Sequence, residues 1–152
     1  MIPPSIVVKE VPWDDPEAAA LRAAQRAEIE EMYGPDSEPG VAPSAADIAL
    51  FVVAYAGGAP VGCGALRPLE PGAAEIKRMY VVPDWRGRGV SSAVLSALEA
   101  GAAARGRTTL KLETGPRQAA AIRFYERSGY ARVPCFGAYA DDPTSQCYQR
   151  EL

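Results

Sequence analysis

Apolar positions along the chain switch between two periods, and the switches mark out its elements. Ile6-Val7-Val8 with Val11 predicts a short first strand. Asp14-Asp15-Pro16-Glu17 predicts a helix start, with an Asp cap, Pro in the first turn and acids at the positive helix end. Leu21, Ala24, Ile29 and Met32 carry one apolar stripe along that helix, which Gly34-Pro35 stops. Pro35 to Ser44 is rich in Pro, Gly, Ser and acids and reads as a loop. Leu50 to Tyr55 and Val61 to Leu66 flank Gly57-Gly58 as a β-hairpin. Glu75 to Val82 predicts another strand, ending at Pro83-Asp84. Val90, Val94, Leu95, Leu98 and Ala102 then recur at helical spacing over 89 to about 105.

Thr108 to Thr114 alternates as a strand, with Leu110 and Leu112 on one side. Gln118 to Arg127 reads as a helix closed by Ser128-Gly129. Tyr130 to Val133 and Ser145 to Glu151 read as closing strands around a Pro/Asp/Gly loop. The predicted order, β-α-β-β-β-α-β-α-β-β, is a mixed α/β sheet. No repeat or long linker divides the chain, so residues 1–152 are expected to form one domain.

Composition narrows the chemistry. No apolar run approaches the ~20 residues that span a bilayer. Met1-Ile2-Pro3-Pro4-Ser5 has neither the basic region nor the apolar stretch of a signal peptide. Three dispersed cysteines (Cys63, Cys135, Cys147) are expected to be reduced, packed thiols of a cytoplasmic chain. The chain has no histidine, which excludes Ser-His-Asp and Cys-His nucleophile pairs and any histidine base or ligand. With no CxxC pair either, no metal is expected. Proton transfer must use carboxylates, Tyr, Lys, Cys or water.

The net charge of -3 hides an asymmetry. Residues 10–47 carry ten acids against Arg22 and Arg26, whereas residues 67–132 carry twelve bases against six acids. A basic half attracts an anion and an acidic half a cation, unless both are simply solvated helix faces. A general nucleic-acid binder is usually basic overall, and this chain is not.

Met79 to Ser92 reads as a strand, a glycine-rich turn and the first turn of a helix. Gly87 and Gly89 permit close backbone approach, the helix start offers free N–H groups, and Arg86 and Arg88 add charge for a phosphate. No Gly-Lys-Ser/Thr follows, so the turn is not a P-loop, and it lacks the third glycine of a dinucleotide fingerprint. Taken by itself it is an anion cradle or a plain connecting turn.

Arg86-Gly87-Arg88-Gly89-Val90-Ser91 resembles the acetyl-CoA pyrophosphate loop of the GNAT superfamily of N-acetyltransferases, with Ser91 in the last small position. Glu75 to Val82 resembles the strand entering that loop. Leu112 to Gly115 and Gln118 to Tyr130 resemble the next strand and its helix, with Gln118 where the family often has Asn. The resemblance covers roughly residues 48–134. It implies a mostly antiparallel sheet with splayed fourth and fifth strands and helices on both faces.

The resemblance also implies roles. Met79, Tyr80 and Val81 would hold the pantetheine arm, and Gly87 to Ser92 (Gly87, Arg88, Gly89, Val90, Ser91, Ser92) the pyrophosphate, with Arg86 and Gln118 beside them. Acetyl transfer to an amine needs a neutral amine, an oxyanion donor and a proton for the thiolate. A backbone N–H of the fourth strand, near Val81, is the implied oxyanion donor and Tyr125 the implied acid. Glu113 and Glu75 are competing bases, each with an exposed or ion-paired carboxylate as its plain alternative. The first helix and the following loop usually line the acceptor site, so Glu31 and Tyr33 are candidate substrate contacts and a small cationic amine is the expected acceptor. A protein or peptide amino group, or a non-catalytic CoA sensor, are the alternatives. Dimers are common in the superfamily, although no interface is marked here, and neither nucleic acid nor a membrane is expected as a partner.

Overall fold

Backbone pairing, rather than any one motif, organises the molecule. The computed structural model describes residues 5–35 and 40–152. The expectations for the first four residues, and for Asp36 and Glu38 in the loop, lie outside the described residues. The strands are β1 (Ile6–Glu10), β2 (Leu50–Ala56), β3 (Ala59–Pro68), β4 (Ala73–Val81), β5 (Thr109–Thr114), β6 (Ala131–Val133) and β7 (Gln146–Glu151). The helices are α1 (Pro16–Tyr33), α2 (Val90–Ala104) and α3 (Ala119–Arg127). The element order is the expected one, and boundaries move by one or two residues.

One seven-stranded sheet runs β1-β2-β3-β4-β5-β7-β6, antiparallel everywhere except between β4 and β5. Local chemistry sets the helix ends. The Asp15 carboxylate accepts from Glu17 N and Ala18 N, both at 3.1 Å, and Pro16 opens α1. Gly34, at φ 87°, closes it.

The sheet is covered on both faces. Leu50, Val52, Ile76, Leu110 and Leu112 meet Val94, Leu95 and Leu98 of α2 and Tyr125 of α3 on one face. Phe51, Val53, Cys63, Ala65 and Tyr80 meet Ala18 and Leu21 of α1 on the other. Farther along that second face α1 gives way to the segment between β6 and β7. It holds a 3-10 turn, Gly137–Asp141, that buries Tyr139.

β4 departs from plain alternation. Ala74 and Ile76 face α2, but so do Met79 and Val81, so the parity of the strand inverts between them. The inversion is a β-bulge: Cys63 pairs with Tyr80 and Ala65 with Lys77, leaving an extra residue on β4. Arg78 absorbs it at φ 59° and is the one described non-glycine residue in the left-handed region. Pairing of β4 with β5 is confined to Ala73–Glu75 against Thr109–Lys111. Beyond it the two strands separate.

The cysteine expectation needs correction. Cys135 and Cys147 form a disulfide, and Cys63 is the free thiol. The β6–β7 ladder puts Val133 opposite Cys147, which brings Cys135 to its partner across the chain reversal. The thiol count therefore no longer argues for a reducing compartment. Among the described residues no helix is long and apolar enough to cross a membrane.

The bridge closes a loop with a sequence separation of 12 residues. Chain entropy assigns it about 3 kcal/mol. Replacing both cysteines with serine is expected to lower Tm by roughly 5–10 °C in a thermal melt, and an unchanged Tm would show that the bridge contributes nothing to stability.

Candidate active site

The separation of β4 from β5 opens a cleft of about 930 Å³ that runs from α1 through the gap to α3. Ile76 to Met79 form one edge, Leu112 to Gly115 the other, and Tyr125 lies on the α3 side. The two strand edges face each other with no ladder between them.

The bulge is held from both flanks. The Cys63 thiol donates to Arg78 O at 3.2 Å, and Gln25 Nε2 donates to Met79 O at 2.9 Å. Burial pushes the Cys63 thiol up to about 12, so it stays a neutral donor and a poor nucleophile. Gln25 Oε1 is buried with no hydrogen-bond partner among the described residues, although the residue lines the cleft.

Tyr125 packs its ring against Phe124 (5.3 Å) and Tyr130 (5.8 Å) in the core beneath the cleft. Its hydroxyl has no hydrogen-bond partner among the described residues. Burial pushes this phenol well above its ordinary value, so it holds its proton at neutral pH. Phe124 and Tyr125 are thus both core aromatics, and Tyr125 reaches the cleft as well.

The two candidate carboxylates part company. Glu113 lines the cleft and accepts from Ser145 Oγ at 2.7 Å. Glu75 does not line it and is 1% exposed. It accepts from Arg67 Nη2 at 3.0 Å and from the Tyr139 hydroxyl at 2.6 Å, while Lys77 Nζ donates to Tyr139 at 2.8 Å. These contacts describe an ion-paired carboxylate buried under the β6–β7 segment. Burial and the Glu75 charge push the Tyr139 phenol up, which keeps it a donor.

Helix α1 meets the cleft along Ala19, Arg22, Ala23, Arg26, Ile29, Glu30 and Tyr33, one side at helical spacing. Its other acids point elsewhere: Glu17 accepts from Tyr55, Glu28 pairs with Arg86 at 2.7 Å, and Glu31 is exposed and outside the cleft. The acidic count of residues 10–47 therefore does not describe the wall that faces the gap. Tyr33 is placed at the cleft, where its hydroxyl accepts from Arg117 N at 2.9 Å. Gly115 is what lets it approach, since a Cβ there would overlap that hydroxyl.

The glycine turn lies beside the cleft at the far end of β4. Gly87 and Gly89 adopt φ 76° and 85° with open space around them, so conformation and not crowding demands glycine. Gly89 caps α2 without any side-chain hydrogen bond, leaving its first N–H groups open next to exposed Arg88 and Ser92. Arg86 is turned the other way. Its Nε donates to Val81 O at 2.9 Å and its guanidinium pairs with Glu28. Gln118 likewise closes its own loop, accepting from Thr114 Oγ1 at 2.8 Å and Gly115 N at 3.0 Å.

Sequence reasoning passed over Gln25, Arg22, Arg26 and Arg78. The arginines of α1 carried a usable signal, since they share a helical side with Ile29 and Tyr33. Gln25 and Arg78 carried none, because a bulge is invisible without the register of the neighbouring strand.

Residues 9–130 match the family model described as the acetyltransferase (GNAT) family. An IAA acetyltransferase of Azospirillum brasilense is 41% identical over 103 residues, covering 67% of each protein. A solved Klebsiella pneumoniae protein assigned as an acyl-CoA N-acyltransferase superposes with a TM-score of 0.82 at 34% identity, covering 97% of both chains. A GNAT family acetyltransferase from Elizabethkingia anophelis, solved with acetyl-CoA bound, shares the fold at a TM-score of 0.73 and 15% identity, covering 97% of this chain and 98% of that one.

Removing one partner from a buried ion pair typically costs about 3–5 kcal/mol. Glu75→Gln is expected to lose roughly that much unfolding free energy in chemical denaturation, and a loss below about 1 kcal/mol would deny the network a role in the fold.

Proposed function

The chain belongs to the acetyltransferase (GNAT) family and is an acyltransferase, and on that premise we propose that it moves the acetyl group of acetyl-CoA to the primary amine of a small molecule within the β4–β5 cleft. The observation that carries this reading is the cleft itself: Glu113 of β5 and Tyr125 of α3 line one gap. Its volume suits a small molecule meeting the end of a cofactor arm.

The open N-terminus of α2 supports pyrophosphate binding. Its N–H groups and helix dipole attract an anion, Arg88 adds charge, and the two left-handed glycines bring the backbone within reach. The pantetheine arm then follows Met79, Tyr80 and Val81 into the gap, beside a strand edge that has lost its neighbour. Arg86 serves this site by bracing Val81 O against Glu28 of α1.

In the reaction Glu113 removes a proton from the ammonium, since an alkylamine of pKa ~10.4 is scarcely neutral at pH 7. The amine nitrogen attacks the thioester carbon, forming the C–N bond. The Val81 N–H donates to the developing oxyanion, a kind of contact worth roughly 3–4 kcal/mol. Collapse breaks the C–S bond, Tyr125 donates its proton to the departing sulfur, and the second proton leaving the nitrogen passes to solvent, from which Tyr125 is reprotonated. A buried phenol retains its proton until that charge appears, and the same dry surroundings raise the thiolate's demand for it. Holding both substrates in one gap supplies much of the remaining acceleration.

Acetyl-CoA turnover against a panel of amines and peptides, read by mass spectrometry, tests the reading; acetylated peptides without acetylated small molecules would replace it with protein modification. Tyr125→Phe is expected to lower kcat by about 10²-fold or more, with a much smaller change in acetyl-CoA Kd, and unchanged turnover would remove its role as acid. Glu113→Gln is expected to abolish the acid limb of the pH–rate profile, and an acid limb that survives would exclude Glu113 as base.

A further inference from the structure

Peptide geometry decides which backbone atoms of β4 meet the gap. Val82 N donates to Val61 O at 3.0 Å, and a Cβ at Gly62 would stand 3.0 Å from Tyr80 O, so both groups face β3. In a trans peptide the C=O and the following N–H point to opposite sides. Val81 N–H and Val81 O therefore face the gap, where pairing with β5 has stopped. Alternation along the strand puts Met79 O on the same side. An open strand edge presents acceptors and donors in turn. Here both acceptors are taken: Met79 O accepts from Gln25 Nε2 and Val81 O from Arg86 Nε, each at 2.9 Å. Val81 N–H is left between two carbonyls that side chains already occupy.

Gln25 keeps this arrangement at a cost. With Nε2 on Met79 O, its own Oε1 is buried and has no hydrogen-bond partner among the described residues. Turning the amide over would set two carbonyl oxygens against each other. The side chain thus leaves an oxygen unsatisfied and keeps a donor on Met79 O. Such an orphaned atom marks a position selected for something other than stability. An uncapped Met79 O would interfere at the reacting centre. Its lone pairs would repel an oxyanion forming beside it, and they would accept an N–H from either substrate and hold that substrate out of register.

We infer that Gln25 is a positioning residue of the transfer: its amide occupies Met79 O, so that the thioester carbonyl meets Val81 N–H with no competing lone pair beside it. Gln25 acts through the β4 edge. The inference rests on the acetyltransferase reading of this cleft and adds to it a residue of α1, so that a helix lining the cleft also prepares the strand edge that polarises the acyl group.

The test needs no acceptor. Acetyl-CoA isotopically labelled at the thioester carbonyl is bound to the unmodified protein and to Gln25→Met, which keeps the length of the side chain and removes both polar ends. Isotope-edited infrared difference spectra then report the carbonyl stretch. In the unmodified protein the band is expected below that of free acetyl-CoA, and Gln25→Met is expected to lose about half or more of that displacement. Gln25→Glu, which keeps the shape and lacks the amide donor, is the second variant and carries the same expectation. Thermal melts separate positioning from bracing: Gln25→Met also removes the orphaned oxygen, so its Tm is expected to hold or rise while the band moves. A band that stays where it was, with or without a fall in Tm, would overturn the inference. So would an undisplaced band in the unmodified protein, or variants that no longer bind acetyl-CoA, since Gln25 would then serve the cofactor arm and not the carbonyl. Failure of the unmodified protein to bind acetyl-CoA would bring down the acetyltransferase reading instead. With an amine that reacts, kcat of Gln25→Met is expected to fall by about tenfold with acetyl-CoA Kd changed by less than about threefold.

Discussion

Everything at the candidate site depends on one extra residue in β4. Arg78 breaks the parity, and pairing with β5 stops at Glu75. The bulge leaves carbonyls that ordinary ladders would satisfy, and the surrounding elements supply donors for them: Cys63 from β3 and Gln25 from α1. A buried carbonyl without a donor costs about 1–3 kcal/mol, so the thiol and the amide hold open an arrangement the backbone alone would not keep. The cleft is thereby tied to the packing of α1.

The second face of the sheet is divided between two covers with different physics. Near β2 and β3, α1 lays Ala18 and Leu21 on Phe51 and Val53, an apolar contact driven by burial. Near β5 and β7, the segment after β6 lays Tyr139 on a buried Glu75 and Lys77, a polar contact that is stable because each group finds a partner. That second cover also carries Ser145, which holds Glu113, and the disulfide that anchors it to β7. Glu113 and Glu75 sit on adjoining strands yet have unlike fates. One is at the edge of the gap and the other beneath the cover, so position on the splayed strands, not residue type, separates a carboxylate that can meet substrate from one that braces the fold.

Charge shows a similar division. Residues 10–47 are strongly acidic by count, but a helix distributes its side chains around 360°, and the count says nothing about which side faces inward. The acids of α1 other than Glu30 are spread over its solvent side and its contacts with Tyr55 and Arg86, whereas Arg22 and Arg26 share the side that faces the cleft. Helical spacing alone separates these sides.

The sequence alone determined the element order, the two-glycine turn before α2, the capped start of α1 and the family resemblance. These rest on local physics: apolar period, conformations open mainly to glycine, and side chains that satisfy the first N–H groups of a helix. Positions of Glu113 and Tyr125 on their elements were legible for the same reason. Tertiary structure decided the rest. The bulge at Arg78, the Cys135–Cys147 bridge, the burial of Glu75 under Tyr139 and the orphaned Gln25 oxygen each depend on how distant segments register against one another. Register is a property of pairs of strands, and a period read along one strand carries no information about its neighbour.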